Sequence, residues 1–198
     1  MELFQEDLTL NLPDADVVYI PQWLSPKVAD HAFSQLRREV PWQQDEITVF
    51  GKTYDQPRLT ALFGNNGKPY SYSNITMHPH PFTGLIKDLK EKVAAKANID
   101  FTTCLLNLYR NGRDSNGWHA DDEKELGQNP VIASVSLGQE RNFHFRHKQD
   151  KNLKHKMTLQ HGSLLLMRGT TQHFWQHQVP KTARAVGERI NLTFRVIQ

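Results

Sequence analysis

The sequence is poor in cysteine, in long apolar runs and in net charge. Its single cysteine, Cys104, excludes an intramolecular disulfide and a zinc site built from cysteines alone, and its apolar setting favours a buried, inert thiol. No run approaches the ~20 apolar residues that span a bilayer, and the acidic N-terminus lacks a signal-peptide pattern. We therefore expect no membrane partner and a reducing location, cytoplasmic or, in a eukaryote, nuclear.

The formal net charge of +3 is too small to indicate a nucleic-acid partner by itself. Its distribution is more informative, because residues 141–156 contain six Lys/Arg and one acid, Asp150. A nucleic-acid contact and a solvated hairpin loop both explain such a cluster. The length of 198 residues suits one domain, 1–198, which we expect to be monomeric.

The first hundred residues contain two helical patterns. Ser25 and Pro26 suit the start of a helix whose apolar residues recur from Val28 to Val40, and a second helix is predicted over 82–97. The segment 45–73 is rich in Gly, Pro, Tyr and Asn, which predicts hairpins and loops.

The second half has the pattern of short strands. After a first strand at 17–20, β-rich runs separated by turns occur near 104–110, 131–137, 142–147, 164–168, 173–178 and 189–197. Consecutive short strands without intervening helices favour an antiparallel sandwich. We predict an α+β fold, in which helices and hairpins of 1–100 buttress a jelly-roll core formed by 101–198.

A metal site is predicted at His119 and Asp121, which share one face of an extended segment because they are two residues apart. A third ligand must come from the other histidines. His177 follows an aromatic run and is favoured, but His173 would share the same strand face and stays open. Two imidazoles and one carboxylate leave positions open on a metal, as non-haem iron oxygenases require. The neighbouring Trp118 would shield the site.

An anion site is predicted on the last strand, where Arg189, Asn191, Thr193 and Arg195 alternate with apolar residues. The two arginines are ~20 Å apart at ~3.3 Å per residue, so side chains leaning inward would leave room for a five-carbon diacid. Asn107 and Tyr109 share one face of another strand and could add hydrogen bonds. An edge strand with one solvated face would show the same alternation.

Four motifs, in this order, resemble those of the AlkB family of iron- and 2-oxoglutarate-dependent nucleic-acid dealkylases: Asn107-x-Tyr109, Gly117–Glu123, His177 and Arg189–Arg195. The resemblance covers 42–196. It implies a double-stranded β-helix (jelly-roll) fold with nucleotide-recognition hairpins in the first hundred residues. The twelve-residue step from His177 to Arg189 matches duplex-DNA repair members of the family and selects His177 over His173.

The resemblance also implies the cofactors and the reaction. His119, Asp121 and His177 would bind Fe(II). Arg195, Asn107 and Tyr109 would hold 2-oxoglutarate with help from Asn191, and Arg189 would lie near its keto-acid end and Asp121. With O2, the enzyme would demethylate 1-methyladenine and 3-methylcytosine in DNA, releasing formaldehyde and converting the co-substrate to succinate.

The substrate residues implied by the resemblance surround a base that must be flipped out of the helix. Val49, Phe50 and Gly51 would form a wedge at a hairpin tip, although a hairpin with a core-directed Phe50 would fit as well. The base would meet Tyr70, Tyr72, Ser73, Trp118, Asp122 and Glu123. Phosphates of single- or double-stranded DNA would meet Lys52, Arg58, Arg146, Lys148, Lys181 and Arg184.

Two other functions fit parts of the pattern. An RNA or tRNA oxygenase would share the chemistry, since base stacking tolerates either sugar. A metal-binding nucleic-acid protein without turnover would need the metal ligands but not Arg189 and Arg195, because it has no co-substrate to hold.

Overall fold

The computed structural model describes residues 7–49, 51–65, 70–72 and 75–198, and of 48, 49, 70–72, 75 and 76 it describes the backbone alone. The described strands are β1 (Leu8–Thr9), β2 (Asp16–Ile20), β3 (Glu46–Val49), β4 (Lys52–Asp55), β5 (Leu59–Gly64), β6 (Tyr70–Tyr72), β7 (Ile75–Met77), β8 (Thr103–Tyr109), β9 (Asn116–His119), β10 (Ile132–Gly138), β11 (Arg141–His147), β12 (Lys154–Leu159), β13 (Ser163–Arg168), β14 (Trp175–Val179) and β15 (Arg189–Arg195). The helices are α1 (Pro26–Glu39), α2 (Gly84–Ala97) and α3 (Thr171–Phe174), with a 3-10 turn at Lys124–Leu126.

Two antiparallel sheets form the core and confirm the predicted jelly-roll. The larger sheet has the order β1-β2-β13-β10-β15-β8-β5, and the smaller has β12-β11-β14-β9. β15 pairs with β10 on one side and β8 on the other, so it is not an edge strand. The alternative explanation for its alternating polar residues, an edge strand with one solvated face, is therefore excluded.

Each face of the larger sheet is covered differently. Its outer face packs under α1 and α2, where Ala29, Leu36 and Leu89 meet Val135 and Leu192 in one buried cluster. Its inner face meets the smaller sheet in a second cluster that contains Tyr109, Phe143, Phe145, Met167 and Trp175. The side chains of β15 that alternate away from the helices thus point between the sheets.

The helices match their predicted positions with small differences. α1 begins at Pro26 as expected, but the Ser25 side chain makes no capping hydrogen bond. Val28, which the helical spacing placed on the apolar face, is 44% exposed, whereas the next residue, Ala29, is fully buried. No helix in the described ranges has the length and apolar character needed to cross a membrane.

Several strands were not predicted, among them β5, β9 and β12. β5 lies within the segment read as hairpins and loops, yet it pairs with β8 and is almost wholly buried. β12 alternates charged and apolar residues beside β11, and β9 is only four residues long.

Cys104 is buried, and burial raises the pKa of its thiol well above the usual value, as the prediction of an inert thiol requires.

Candidate metal and co-substrate site

A buried cluster of metal-ligand side chains lies between the two sheets. One ligand atom each from His119, Asp121 and His177 lies within 4.8 Å of the others, and within the described ranges it is the only such group. β9 and β14 bring them together, since His119 and His177 are paired across the two strands. The rival His173 lies on the exposed side of α3, so the structure excludes it from this cluster.

The three side chains have the protonation states that a metal requires. Burial, together with the neighbouring His119, lowers the pKa of His177 to about 3. Burial also lowers the pKa of His119. For Asp121 burial favours the neutral acid, but the cation of Arg195 and the two imidazoles outweigh it and hold the pKa at about 2. At neutral pH the cluster therefore offers two neutral imidazoles and one carboxylate.

Hydrogen bonds orient two of these ligands. Nδ1 of His119 lies 2.8 Å from the carbonyl oxygen of Gly117, so it carries the proton and leaves Nε2 as the ligand atom. Oδ1 of Asp121 accepts from Nη2 of Arg195 at 2.6 Å. Oδ2 of Asp121, 3.7 Å from Nε2 of His177, is the oxygen that faces the imidazole.

The neighbouring pocket is lined by the polar face of β15, including Arg189, Asn191, Thr193 and Arg195, together with Asn107 and Tyr109. The same pocket is lined by the three metal-ligand side chains. The two predicted sites are therefore parts of one cavity between the sheets.

Arg189 is the side chain in this pocket that most clearly requires an anion. It is 1% exposed, and its guanidinium lies 5.2 Å from the centre of the Tyr109 ring. Nη2 donates to Oγ of Ser136 at 2.9 Å, but Nε and Nη1 are buried and make no hydrogen bond within the described residues. Burial lowers the pKa of Arg189, and within those residues no carboxylate is within ion-pair distance of it. A carboxylate ligand would satisfy this cation.

The predicted positions of the two arginines are reversed. Arg195, not Arg189, lies beside Asp121, whereas Arg189 is paired with Tyr109 at the other end of β15. The cause is strand direction, because β15 runs antiparallel to β8 and the metal ligands approach the end that carries Arg195. Both arginines line the pocket, but the topology that orders them could not be read from alternation.

Arg58 was predicted to contact phosphate, and this was wrong. It is 4% exposed, and its Nε donates to Oδ1 of Asn107 at 2.7 Å while Nη1 donates to the carbonyl of Ser115 at 3.2 Å. It comes directly before β5, whose pairing with β8 carries the side chain inward. The amide of Asn107 is thereby oriented toward Asn191, whose Nδ2 donates to Oγ of Ser134.

Three predicted base-contact residues lie beside the metal ligands. Burial raises the pKa of Glu123, and its Oε2 is buried without a hydrogen bond from any residue that the structure describes. Asp122 instead binds Nζ of Lys148 at 2.7 Å. Trp118 lies under the guanidinium of Arg146, 4.3 Å from the ring centre.

The phosphate contact predicted for Lys148 stays a prediction, and within the protein the side chain has two partners. Besides Asp122, its Nζ donates to the carbonyl oxygen of Gln172 at 2.9 Å. The side chain of Gln172 is fully buried and accepts a hydrogen bond from the backbone of Asp121. Sequence reasoning missed Gln172, because an isolated glutamine on a one-turn helix carries no periodic or motif signal.

The outer face of the smaller sheet carries the cations of the predicted basic hairpin. Alternation along β11, β12 and β14 places eight side chains outward, and none of them is acidic: Asn142, His144, Arg146, Lys154, Lys156, Thr158, Gln176 and Gln178. We call this set the outer basic face. Arg141 is not part of it, since it is 3% exposed and donates to the carbonyls of Asn111, Asp114 and Pro180.

Of the remaining predicted residues, those whose side chains the structure describes do not line the pocket. β3 and β4 form a hairpin in which Val49 is opposite Lys52, and Gly51 has a φ of 75°. Lys181 and Arg184 are exposed in the segment before β15. Tyr70 and Tyr72 belong to β6, but their side chains, like residues 50 and 73, lie outside what the structure describes, so the predictions for Phe50 and Ser73 stay predictions.

Comparison with known proteins gives concordant results. Residues 16–195 match the model of the 2OG-Fe(II) oxygenase superfamily. The chain is 44% identical over 190 residues to "Alpha-ketoglutarate-dependent dioxygenase alkB homolog 3" of Bos taurus, covering 91% of this chain and 66% of that protein. It is 36% identical over 179 residues to "DNA oxidative demethylase ALKBH2" of Homo sapiens, covering 85% and 69%.

A solved structure shares the fold. The protein described as "The structure of OsALKBH1" superposes with a TM-score of 0.67 and 16% identity, covering 95% of this chain and all of that one (100%). The chain thus spans about two thirds of the length of its similar bovine relative and the whole of this structural one.

Proposed function

The chain belongs to the AlkB family of the 2OG-Fe(II) oxygenase superfamily, and from this premise we propose that it is an oxidative demethylase of N-alkylated bases in DNA. We further propose that 1-methyladenine and 3-methylcytosine are its substrates. Two similar relatives are described as an alkB homolog 3 dioxygenase and a DNA oxidative demethylase, which supports nucleic acid as the substrate class.

The observation that carries this proposal is the buried cation of Arg189 in the same pocket as the His119, Asp121 and His177 cluster. A buried guanidinium with unused donors fits the carboxylate of a diacid co-substrate. A protein that bound only a metal would gain nothing from it. The donor set of two imidazoles and one carboxylate fits Fe(II).

Each side chain would have a distinct task. His119, Asp121 and His177 would hold Fe(II), and Arg189 with Tyr109 would bind the far carboxylate of 2-oxoglutarate. Arg195 fixes one oxygen of Asp121, so that the other is directed into the cluster. When bound, the iron and 2-oxoglutarate supply oxidation by O2, in which the co-substrate becomes succinate and CO2 and the hydroxylated methyl group leaves as formaldehyde.

Glu123 is the best-supported base contact. Its buried Oε2 has no donor within the described residues, and the exocyclic amine of adenine or cytosine would supply one. Asp122 would act less directly, because Lys148 already binds its carboxylate. Base stacking by Tyr70 and Tyr72 and the Phe50 wedge are also part of the proposal. The structure describes only the backbone of Tyr70 and Tyr72, on β6, and residue 50 lies outside the described residues.

The outer basic face offers a path for the phosphates that flank the base. Arg146, Lys154 and Lys156 supply three cations, His144 adds a titratable group, and no acid interrupts the eight positions. Arg146 also contacts Trp118 next to the metal ligand His119, so the face adjoins the mouth of the pocket. Lys181 and Arg184 would add exposed charges beyond the pocket.

The test is an assay with Fe(II)-loaded protein, 2-oxoglutarate and O2 on oligonucleotides that carry one 1-methyladenine. Formaldehyde and the remaining lesion are measured for single-stranded DNA, duplex DNA and RNA of the same sequence. We expect equal amounts of formaldehyde and repaired base on DNA. Lesions that persist on all DNA substrates would refute the proposal, and loss on RNA alone would assign the enzyme to RNA.

The wedge is tested on the duplex substrate. Phe50→Ala is expected to lower activity on duplex DNA and to leave single-stranded DNA unaffected, since only the duplex requires a side chain to fill the vacated stack. Equal activity of both proteins on the duplex would remove the wedge from the proposal.

A further inference from the structure

Gln172 is a fully buried polar residue that hydrogen-bonds to the backbone of Asp121, one of the three metal-ligand residues. It lies in α3, and its Oε1 accepts from the backbone N–H of Asp121 at 2.9 Å across 51 positions of the chain. Among the residues that the structure describes, its Nε2 has only Sδ of Met167, at 3.5 Å, as a partner. Since sulfur is a weak acceptor, the bond to Asp121 is the strong interaction of this side chain.

Gln172 is also linked to Asp122, the residue after the metal ligand, through Lys148. Its carbonyl oxygen accepts from Nζ of Lys148 at 2.9 Å, and that Nζ also donates to Oδ2 of Asp122 at 2.7 Å. The side chain of Gln172 therefore bonds directly to the backbone of Asp121, and its main-chain carbonyl is linked to the carboxylate of Asp122 through Lys148. We call Gln172 and Lys148 the Gln172 clamp.

The turn that carries Gln172 is itself fixed. Oγ1 of Thr171 accepts from the backbone N–H of Asp16 at 2.9 Å and donates to the carbonyl of Arg168 at 2.6 Å. Oγ1 of Thr170 donates to the carbonyl of Asp14 at 3.0 Å. Hydrogen bonds from the chain around β2 thus hold α3, so Gln172 has a rigid support.

Asp121 needs such support because no strand holds it. β9 ends at His119, and Asp121 follows in an irregular segment, so its N–H has no place in the sheet ladder. Gln172 supplies the missing acceptor. Arg195 sets one end of the carboxylate, and the clamp sets the backbone from which the carboxylate projects.

We propose that the Gln172 clamp positions Asp121 as a metal ligand and joins its placement to that of Asp122 on the substrate side. This inference rests on the proposed function for its metal. Gln172 is a positioning residue, since its contact is with the backbone of a ligand. Partners of metal ligands typically change metal affinity about 10- to 100-fold when they are removed.

The test is equilibrium binding of Mn(II), measured without nucleic acid, 2-oxoglutarate or O2, alongside the Tm of the metal-free proteins. Gln172→Met keeps the length of the side chain and removes the acceptor, whereas Gln172→Glu keeps an oxygen at the same reach. Gln35→Met is the matched control, because Gln35 is a half-buried glutamine on α1 that donates to Glu39 and belongs neither to the lining of the pocket nor to the outer basic face. Lys148→Met removes the bonds to Asp122 and to the carbonyl of Gln172 and leaves the bond between Gln172 and the backbone of Asp121 in place.

We expect Gln172→Met to raise the Kd for Mn(II) at least about tenfold, Gln172→Glu to recover most of that loss, and Gln35→Met to bind Mn(II) as the native protein does. Lys148→Met should give a smaller rise. A purely structural role would lower the Tm and leave the Mn(II) affinity of the folded protein unchanged, and that result would overturn the proposal. If Gln172→Met does not fold, native affinity in Lys148→Met would overturn it.

These readouts separate the clamp from the proposed reaction. A native protein that binds Mn(II) but repairs no methylated DNA would contradict the demethylase proposal, and the clamp would still be decided by the Mn(II) constants of the variants.

Discussion

The inner face of β15 and the outer basic face of the smaller sheet are built from the same alternation of polar and apolar residues, but they meet opposite surroundings. On β15, Arg189 is 1% and Arg195 is 3% exposed, and both lie in the pocket between the sheets. On the outer basic face, Lys154 and Lys156 point to solvent. One set of cations is removed from water, and the other stays in it.

This difference determines what each face can recognise. A buried cation must be paired, so Arg189 selects an anion of one size and position, with strong, directional bonds. An exposed cation is already solvated and contributes little by itself, but several together attract a polyanion in a way that depends on salt. The pocket is thus suited to a small diacid and the face to a phosphate backbone.

Removing a metal ligand should have the largest effect on the pocket. We expect His177→Ala to lower formaldehyde release by more than about 100-fold, because loss of an outer partner of a ligand alone can cost that much. His173→Ala is the control, since His173 is an exposed histidine four residues away. Full activity in His177→Ala would break the assignment of the cluster.

Arg189→Met should weaken 2-oxoglutarate binding about 10- to 100-fold. The variant loses hydrogen bonds from a charged group, which contribute about 1.5–3 kcal/mol. The measurement is the KM for 2-oxoglutarate, with Arg184→Met as the exposed control. A KM that rises equally in both variants would show that the burial of Arg189 makes no difference to the recognition of 2-oxoglutarate.

Acid should lower the free energy of unfolding of the metal-free protein. The folded-state pKa of His177 is about 3 and the ordinary value is 6.5, so between these values the unfolded chain binds a proton that the folded chain excludes. Stability is therefore complete above about pH 6.5 and falls as the pH drops, by up to about 1.4 kcal/mol per unit. Asp121, lowered to about 2 from 3.8, extends the loss to lower pH.

Urea unfolding of the metal-free protein at about pH 7 and about pH 5 measures this effect. His177→Gln should show a shallower dependence on pH, because it removes the group that titrates. The same slope in native and variant proteins would show that His177 is not the buried neutral base described above.

The outer basic face should show the smallest change. Replacing both Lys154 and Lys156 by Gln should reduce the salt dependence of single-stranded DNA binding by about 1.4 in the slope of log K against log salt, since each cation accounts for about 0.7. Gln replacements of Lys87 and Lys92, which are exposed on α2, make the same change in charge elsewhere. An equal effect of both pairs would mean that the face has no special role.

The sequence predicted those features that depend on spacing. Period-two alternation identified the polar face of β15, and the His177-to-Arg189 step of the family resemblance selected the third ligand that the structure brings to the cluster. The sandwich followed from short consecutive strands. These signals are local, so they can be read from the sequence without knowing which strands are neighbours in the sheets.

Features that depend on which strands are neighbours were missed or misplaced. The positions of Arg189 and Arg195 were exchanged, because the antiparallel order of β8 and β15 decides which end lies beside Asp121. Arg58 was taken for a surface cation, although the pairing of β5 draws it inside. Gln172 could not be found, since only the folded chain brings α3 to Asp121.

The most direct test measures two binding constants on two variants, with Mn(II) in place of Fe(II) and without O2. Arg189→Met should lose at least about tenfold in affinity for 2-oxoglutarate and keep its affinity for single-stranded DNA. The variant with Gln at both 154 and 156 should keep its affinity for 2-oxoglutarate and lose affinity for DNA. If each variant weakened both ligands alike, the division of labour between the pocket and the outer basic face would be contradicted.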